Sequence, residues 1–408
     1  MKILVLNCGS SSIKYQLINV KSKDDKTVMA KGQVERIGLT DGVLTHKPEG
    51  KPKYTFVQTI SDHSVGINII LAALTDENHG VISSLSEISA AGHRVAHGGE
   101  YFKDSAIVNA TVKQQIESCF ELAPLHNPAN LKGILSIEKL LPSIEQVAVF
   151  DTSFHSSMPR EAFLYAIPYN YYEDMRVRRY GFHGTSHKYV AQKACEMTGL
   201  DFETAKIITC HIGNGASVTA IKNGKSIDTS MGFTPVDGLM MGTRSGLIDP
   251  GAMLYIMEKE GLSTAKANDL INKKSGLLGV SGVSSDMRDV KAAAESGNDR
   301  AQLALRMFTG RIKHFVGAYF AELEGADLIV FTGGVGEHEA FVRHDVCKGL
   351  SAMGIEINEQ QNTITNGDDA IISSASSRVK VVVACTDEEL VIASDTFRLL
   401  RRRPEVDA

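Results

Sequence analysis

The stretch that decides the fold runs from residue 206 to residue 222 and reads KIITCHIGNGASVTAIK. Two apolar runs flank Gly213, Asn214 and Gly215, a pattern typical of two strands joined by a tight turn. These small residues leave backbone N–H groups unobstructed, which suits a phosphate, although an ordinary hairpin turn would look the same. Asn223-Gly224 predicts the next hairpin, because both central positions of a type I′ turn require positive φ.

A glycine-rich loop follows this second hairpin. Gly232, Gly238, Gly242 and Gly246 surround Arg244. Because glycine allows close approach of the backbone, we expect this loop to pack against a ligand.

The strand–turn–strand pattern occurs again near the start of the chain. Residues 3–18 contain an apolar run, a Gly/Ser/Asn turn and a second apolar run, and residues 328–337 contain a third glycine turn. A repeated unit implies two similar halves. Two phosphate-binding turns followed by a later glycine turn for a nucleoside resemble the arrangement of actin, the sugar kinases and the Hsp70 ATPase.

The predicted fold class is therefore α/β, with two similar domains of the actin, sugar-kinase and Hsp70 ATPase type around a central cleft. Residues 1–150 with about 385–408 are predicted to form the first domain. Residues 151–384 are predicted to form the second, which carries most nucleotide contacts. Apolar runs at 88–94 and 146–150 predict strands that end at Arg94 and Asp151, and helical spacing predicts one long helix over 287–324.

Composition restricts the classes of function. A chain of 408 residues can form two domains, and a formal net charge of −5 argues against a nucleic-acid partner. No apolar run approaches the ~18 residues of a membrane span. Six scattered cysteines without a CxxC pair are typical of buried free thiols, and the chain enters a strand directly, so a cytoplasmic protein is expected.

Several common active-site motifs are missing. The segment before Gly224-Lys-Ser226 has Thr219 where a Walker A loop requires its first glycine. Neither the third glycine of a dinucleotide fingerprint nor a Gly-x-Ser-x-Gly elbow is present. His155, His183 and His187 lack the spacing of a zinc site.

A set of longer motifs, in order, resembles the acetokinase family, which contains the acetate kinases and the closely related propionate kinases. The resemblance extends from residue 3 to about residue 398. The matching stretches are Asn7–Lys14, Gly92–Gly99, Pro124–Pro128, Phe150–His155, Arg179–His187, His211–Ser217, Asp228–Gly246, Phe331–Glu337 and Cys385–Glu389.

The resemblance implies reversible transfer of the γ-phosphoryl group of ATP to acetate, giving acetyl phosphate and ADP. It implies catalytic roles for Arg94, Asp151, His183 and Arg244. Because a carboxylate acceptor is ionised at neutral pH, no strong base is needed. Asp151 is then expected to orient Mg²⁺-bound water or a neighbouring arginine.

The same resemblance implies the binding sites. Arg94 would contact the substrate, and Ala96, Leu125, Phe182 and Pro235 would form its apolar pocket. Mg²⁺, with Mn²⁺ as an alternative, would lie near Asn7 and Glu388, and the protein would be a homodimer. The residues implied for ATP or ADP are Lys14, His211, Ile212, Gly213, Asn214, Gly215, Asp286, Met287, Arg288, Gly334, Val335, Gly336, Glu337 and His338.

Two positions depart from the pattern of acetate kinases. His338 stands where the family usually has asparagine, and Ala96 stands where acetate kinases often have valine and propionate kinases have alanine. A propionate kinase therefore remains an alternative. An actin-like or Hsp70-like ATPase is the non-kinase alternative, but it would not need Arg94, Arg244 and an apolar pocket together.

Overall fold

The computed structural model describes residues 1–22 and 25–401. The described chain divides into two compact units: unit 1 comprises Met1–Ser153 and the segment from Asp387 onward, and unit 2 comprises Phe154–Thr386. Residues 402–408, which the predicted first domain included, lie outside the described residues.

The strands of unit 1 precede those of unit 2 along the chain. The strands are β1 (Lys2–Cys8), β2 (Ser12–Val20), β3 (Lys26–Glu35), β4 (Gly42–Pro48), β5 (Tyr54–Gln58), β6 (Ile88–Val95), β7 (Ala106–Ile107), β8 (Glu145–Phe150), β9 (Lys206–Ile212), β10 (Ala216–Lys222), β11 (Lys225–Thr229), β12 (Leu328–Thr332), β13 (Ala370–Ile371) and β14 (Lys380–Val383).

The first three α-helices and the last belong to unit 1, and the others to unit 2. The helices are α1 (His63–Thr75), α2 (Ala110–Ser118), α3 (Asn127–Leu140), α4 (Arg160–Phe163), α5 (Asn170–Met175), α6 (Gly184–Thr198), α7 (Pro250–Glu260), α8 (Thr264–Lys273), α9 (Gly276–Ser281), α10 (Met287–Glu295), α11 (Asp299–Glu322), α12 (Gly333–His338), α13 (Ala340–Cys347), α14 (Glu359–Ile364) and α15 (Glu388–Arg401). Short 3₁₀ helices cover Leu85–Glu87, Ser153–Ser157 and Ser351–Met353.

The sheet of unit 1 has the order β5-β4-β3-β2-β1-β6-β8-β7. β1 to β5 pair antiparallel, whereas β6 is parallel to β1 and β8 is parallel to β6. Successive side chains of a strand point to opposite faces, so Leu4 packs in the core with α1 and α3, and Ile3 packs in the core with α15. Both faces of β1 are thereby buried.

The sheet of unit 2 has the order β11-β10-β9-β12-β14-β13. β9, β10 and β11 pair antiparallel, whereas β12 is parallel to β9 and β14 is parallel to β12. Ile208 of β9 packs in the core with Phe308 of α11, and Ile207 packs in the core with Val190 of α6. This sheet is therefore also covered by helices on both faces.

The two sheets share one topology. The strand orders β3-β2-β1-β6-β8 and β11-β10-β9-β12-β14 have the same sequence order and the same directions. This repeat confirms the predicted α/β fold with two similar domains. The hairpin at Asn223 and Gly224 is also confirmed, with φ of 54° and 72°.

The single helix predicted over 287–324 is wrong, because α10 and α11 are separate. Gly297 has φ of 91° between them, a conformation that ends a helix. Asn298 caps α11 by accepting a hydrogen bond from the Ala301 amide at 2.9 Å. The apolar spacing continues across this break, so periodicity alone did not reveal it.

The glycine loop packs on the protein's own atoms. A Cβ at Gly238 would lie 2.4 Å from the Ser230 carbonyl oxygen, and one at Gly242 would lie 2.0 Å from Asn214 Oδ1. Gly238 also has φ of 91°. Close packing within unit 2 therefore accounts for glycine at positions 238 and 242, and the expected contact of this loop with a ligand stays a prediction.

Two global expectations can be compared with the described residues. None of their helices has the length and apolar character that crossing a membrane requires. The cysteines are free thiols, as predicted, and all except the partly exposed Cys385 are buried.

The contact between β6 and α15 gives a test of the fold. A Cβ at Gly92 would lie 2.6 Å from Ile392 Cγ2 and from Thr396 Oγ1. We expect Gly92→Ala to lower the free energy of unfolding by about 1–3 kcal/mol, because it overpacks this contact. Urea unfolding followed by circular dichroism measures the change.

Gly317→Ala, in α11, is the matched control. A Cβ at Gly317 would meet no neighbouring atom within 4 Å. It should raise the free energy of unfolding by about 0.4–1 kcal/mol, since alanine restricts the unfolded chain. A Gly92→Ala variant that is as stable as the parent would contradict the close contact.

Candidate active site

An arginine–aspartate pair lies at the carboxyl ends of two parallel strands in unit 1. Arg94 lies directly before Val95, the last residue of β6. Val95 pairs with Phe150 of β8, and Asp151 directly follows Phe150. Arg94 Nη2 donates to Asp151 Oδ2 at 3.1 Å. The Asp151 side chain is only 2% exposed. This buried carboxylate therefore requires the guanidinium beside it.

A second carboxylate completes the charge cluster around Arg94. Glu388, the first residue of α15, places Oε2 at 3.8 Å from Arg94 Nε. Burial alone lowers the pKa of Arg94, but the carboxylates of Asp151 and Glu388 outweigh it and raise the pKa overall. Arg94 is thus held charged and in a fixed position.

Two asparagines of α3 fasten the loop after β6. Asn130 Oδ1 accepts from the Ala96 amide at 3.0 Å, and its Nδ2 donates to the Cys8 carbonyl at 2.7 Å. Asn127 accepts from the His97 amide at 3.0 Å and donates to the His97 carbonyl at 2.9 Å. Sequence reasoning missed both residues. Their spacing of i, i+3 on one buried helix face was the available signal.

The predicted metal ligands of unit 1 suit Mg²⁺. Asn7 lies near the end of β1, paired with Lys14 of β2. The Glu388 side chain is 27% exposed, and no described residue hydrogen-bonds its carboxylate. Mg²⁺ typically takes one or two protein oxygens and keeps several waters, which these residues can satisfy. Within residues 1–22 and 25–401 no three His, Cys, Asp or Glu side chains form a metal cage.

Arg244 of unit 2 has no acidic partner in the part of the chain that the structure describes. Its Nη1 donates to the Pro235 carbonyl at 3.3 Å and lies 3.7 Å from Met241 Sδ. Burial lowers the pKa of this guanidinium. The Gly242 amide also donates to the Asn214 carbonyl at 3.1 Å, so the arginine loop is tied to the first glycine turn. A desolvated cation without a carboxylate favours binding of an external anion.

His183 lies beside Arg244 at the turn. A Cβ on Gly215 would be 3.2 Å from Arg244 Nη1 and 3.6 Å from His183 Nε2. His183 has φ of 56°, which is uncommon for a residue other than glycine. Such conformations cluster at functional sites, because the surrounding structure must enforce them.

A buried hydrogen-bond network fixes the His183 ring. Ser217 Oγ lies 2.8 Å from His183 Nδ1 and 2.7 Å from His187 Nε2, and His187 Nδ1 lies 2.7 Å from Thr209 Oγ1. His183 also stacks on His211 with the ring centroids 4.2 Å apart. Burial, with the neighbouring His155 and His211 as smaller causes, holds the pKa of His187 well below its ordinary value. His187 is therefore neutral.

The glycine turns of unit 2 lie at the carboxyl ends of β9 and β12. In the first, the Gly213 amide donates to the Gly215 carbonyl at 3.0 Å, and Asn214 is exposed. In the second, a Cβ on the exposed Gly334 would meet no atom within 4 Å. The protein's own packing does not require glycine at 334, so this position is open to a ligand.

Several residues predicted to bind the nucleotide use their side chains for contacts within the protein. Glu337 Oε1 accepts from the Gly333 amide at 2.9 Å and from the Thr386 amide at 3.1 Å. His211 Nδ1 lies 2.8 Å from Ser186 Oγ. Ile212 and Met287 are buried in the core, and Val335 packs against it. These residues could contact a ligand mainly through their backbone.

The remaining predicted nucleotide residues are more exposed. Asp286 caps α10 through the Arg288 amide at 2.9 Å, and Arg288 Nη2 lies 2.6 Å from Asp286 Oδ2. The Arg288 side-chain and backbone hydrogen bonds lower the pKa of Asp286 to about 2. His338 Nδ1 lies 2.7 Å from Asn366 Oδ1, and Lys14 is exposed on β2.

The four predicted pocket residues fall in both units. Ala96 is buried and Leu125 is 68% exposed in unit 1. In unit 2, Phe182 is buried directly before His183, and the Pro235 carbonyl contacts Arg244. In unit 2 the apolar residues therefore adjoin His183 and Arg244, whereas in unit 1 Ala96 follows Arg94 by two positions in the chain.

Comparison with known proteins identifies the family. A sequence model of the acetokinase family matches residues 2–394. The acetate kinase of Bacteroides thetaiotaomicron is 54% identical over 402 residues, which cover 98% of this chain and 100% of that protein. The crystal structure of Porphyromonas gingivalis acetate kinase has a TM-score of 0.95 and 51% identity, covering 98% of this chain and 99% of that one. A Francisella tularensis propionate kinase has a TM-score of 0.89 and 41% identity, covering 97% and 99% respectively.

The neutral His187 gives a pH test of this site. The unfolded chain protonates a histidine near pH 6.5, whereas the folded state opposes protonation of His187. Stability should therefore decrease as pH falls below about 6.5, by up to ~1.4 kcal/mol per pH unit for this residue. Urea unfolding at about pH 7.5 and about pH 5.5 measures this dependence.

His187→Gln should reduce the pH dependence, because glutamine does not titrate. His314→Gln, at an exposed position of α11, is the matched control and should keep the parent's dependence. An unchanged pH dependence in His187→Gln would show that His187 does not contribute it.

Proposed function

This chain belongs to the acetokinase family, and from that membership we propose that it transfers the γ-phosphoryl group of ATP reversibly to acetate. The products are acetyl phosphate and ADP. The observation that most supports this proposal is Arg244: a partly buried guanidinium with no acidic partner among the described residues, beside a glycine turn and His183.

The reaction brings two anions together, so charge repulsion is its first obstacle. A guanidinium aimed at the transferring oxygens counters this repulsion, and such preorganised donors typically give the largest catalytic contribution. Arg244 is suited to the phosphoryl group because no carboxylate in the described part of the chain competes for it. His183 is proposed as a second donor, since the Ser217 contact at its Nδ1 fixes the ring.

Arg94 is proposed to bind the substrate carboxylate. Its Nη2 is fixed by Asp151, and Glu388 lies near its Nε, so it is a rigid cation rather than a mobile one. Asp151 therefore acts as a positioning residue for Arg94 in this proposal. A general base is unnecessary, because the carboxylate acceptor is already ionised at neutral pH.

The proposed transfer is direct and in line. One carboxylate oxygen of acetate forms a bond to the γ-phosphorus, while the bond from that phosphorus to the β–γ bridging oxygen breaks. The electron pair of the broken bond leaves with ADP, and no proton moves. The equatorial oxygens carry the charge that Arg244 and His183 are proposed to stabilise.

ATP or ADP is proposed to bind mainly to unit 2. The turns at 213–215 and 333–338 offer backbone groups, and the open position at Gly334 supports close approach of the nucleoside. Asp286, Met287 and Arg288 would flank it, His338 would replace the usual family asparagine, and Lys14 would contribute from unit 1. Mg²⁺, with Mn²⁺ as the alternative, would be held near Asn7 and Glu388 and would neutralise phosphate charge.

We also propose a cytoplasmic homodimer. Free cysteines suit a reducing compartment. The described residues of α7 include no buried side chain, and Leu254 and Tyr255 of that helix are at least 60% exposed. Such an apolar surface is typical of an interface between protein chains. Light scattering after size-exclusion chromatography should give twice the chain mass, and a monomer would contradict this part.

The ATPase alternative predicts a different dependence on acetate. A kinase should release ADP only when a carboxylate acceptor is present. ADP release from ATP is therefore to be measured with and without acetate, in the presence of Mg²⁺. Release at the same rate in both conditions would favour an ATPase.

The two arginines should respond differently to substitution. Arg244→Ala is expected to reduce kcat by ~10²–10³ without loss of stability, since a preorganised donor is lost and no described carboxylate loses an ion pair. Arg94→Ala should lose activity and also on the order of 3 kcal/mol of stability, because the buried Asp151 would lose its ion pair with Arg94.

Initial rates and urea unfolding of both variants measure these effects. Near-normal turnover in a folded Arg244→Ala protein would remove Arg244 from the mechanism. Equal stability of Arg94→Ala and the parent would contradict the role of Arg94 as the partner of Asp151.

Substrate choice is proposed to depend on Ala96. Alanine leaves more space than the valine of many acetate kinases, and a pocket distinguishes one methylene by only ~10–200-fold. Propionate should therefore react within roughly tenfold of acetate, and butyrate should be poorer. Ala96→Val should lower kcat/KM for propionate much more than for acetate.

Measurement of kcat/KM for acetate and for propionate, in the parent and in Ala96→Val, decides whether Ala96 sets the substrate choice. The alternative is that the surrounding backbone refills the space and leaves an acetate-selective enzyme. A ratio of acetate to propionate activity that Ala96→Val does not change would exclude Ala96 as the determinant.

A further inference from the structure

We propose that Arg343 is a positioning residue that holds the glycine turn Gly333–His338 in the conformation that binds the nucleotide. This proposal rests on the proposed function, in which that turn contacts ATP or ADP. Arg343 lies on α13, and its side chain is completely buried. It touches neither the proposed phosphoryl site nor the acetate site, so its effect would pass through the turn.

One amino group of Arg343 holds the end of the turn. Nη1 donates to the Gly336 carbonyl at 2.9 Å and to the Glu337 carbonyl at 2.9 Å. The last carbonyl groups of a helix have no partner within the helix and need one elsewhere. In α12, which has only six residues, these two contacts fix most of the helix end.

The rest of the guanidinium holds a second segment against the first. Nε donates to Asn362 Oδ1 at 2.7 Å, and Nη2 donates to the carbonyls of Asn362 and Thr365 at 2.8 Å each. A guanidinium has five N–H donors, and these contacts together with those of Nη1 use all of them. Arg343 is therefore a clamp between the glycine turn and residues 362–365.

Directly after the clamped segment 362–365, the chain contacts the glycine turn again. The Gly367 amide donates to the Glu337 carbonyl at 3.1 Å, and Asn366 Oδ1 lies 2.7 Å from His338 Nδ1. The position of His338 thus depends on a segment that Arg343 places. Through these contacts, Arg343 sets both the backbone of the turn and the side chain at its end.

The hydrogen bonds of Arg343 indicate that it positions its neighbours and does not merely fill space in the core. Every acceptor of its guanidinium among the described residues is a neutral carbonyl or side-chain amide oxygen. The negative charge of Glu339 offsets only part of the cost of burial. Burial lowers the pKa of Arg343 to about 10. An apolar side chain could fill the same volume without this cost. Only a planar five-donor group can hold these carbonyls in one fixed arrangement.

The test measures nucleotide binding apart from acetate chemistry. Calorimetric titration of the full chain with ADP and Mg²⁺ should give a Kd that is roughly ten- to a hundredfold weaker in Arg343→Lys, because a displaced turn misaligns its ligand. Lysine keeps the charge but has three donors instead of five. The KM for acetate should not change, while the KM for ATP should rise with the Kd.

Two further variants separate this effect from general destabilisation. Val316→Ala creates a cavity in the same core, on α11, and should lower the melting temperature without weakening ADP binding. Asn362→Ala removes the acceptor of Arg343 Nε and should weaken ADP binding in the same direction, which keeps the test decisive if Arg343→Lys does not fold.

The outcomes are distinct from those of the proposed function. If ADP binding of Arg343→Lys, or of Asn362→Ala in its place, weakens no more than that of Val316→Ala, the positioning role is overturned. Absence of acetate phosphorylation in the parent would instead overturn the proposed function. Selective loss of ADP binding supports the clamp.

Discussion

The buried carboxylate of Asp151 is the constraint on which the site in unit 1 depends. A carboxylate that is 2% exposed needs a cation, and Arg94 supplies it from the neighbouring parallel strand. The pairing of β6 with β8 brings the two residues together, and the C-terminal helix α15 adds Glu388. The resulting cation is fixed before any substrate arrives, which reduces the reorganisation that binding would otherwise require.

Arg244 has the opposite environment, and the difference explains a division of roles. No described carboxylate neutralises it, so its favourable partner is an anion from solution. The left-handed backbone of His183 and the contact from Ser217 hold an imidazole beside the same turn. Unit 2 therefore combines a cation that has no acidic partner among the described residues with an imidazole whose position is fixed, whereas unit 1 holds its arginine between two carboxylates.

The sequence predicted the pattern of strands and turns more reliably than the contacts among side chains. The glycine turns after β1 and β9 indicated a duplicated α/β fold because turn chemistry is local. The break at Gly297 was missed because apolar spacing continues through it. Arg343 was missed for another reason: its partner Asn362 is chosen by tertiary packing and leaves no spacing pattern. The glycines around Arg244 were noticed, but the sequence did not show that they pack closely on backbone and side-chain atoms of the protein itself.

The central claim is that a carboxylate oxygen of acetate forms the bond to the transferred phosphorus, and isotopic labelling tests this claim most directly. The enzyme is to be incubated with ATP, Mg²⁺ and acetate labelled with ¹⁸O in its carboxylate, and the product followed by ³¹P NMR. Attack by a carboxylate oxygen predicts acetyl phosphate that carries ¹⁸O in the oxygen bridging the acyl carbon and the phosphorus, with one ADP formed for each molecule of acetyl phosphate. Formation of unlabelled inorganic phosphate alone, at a rate independent of acetate, would contradict the claim.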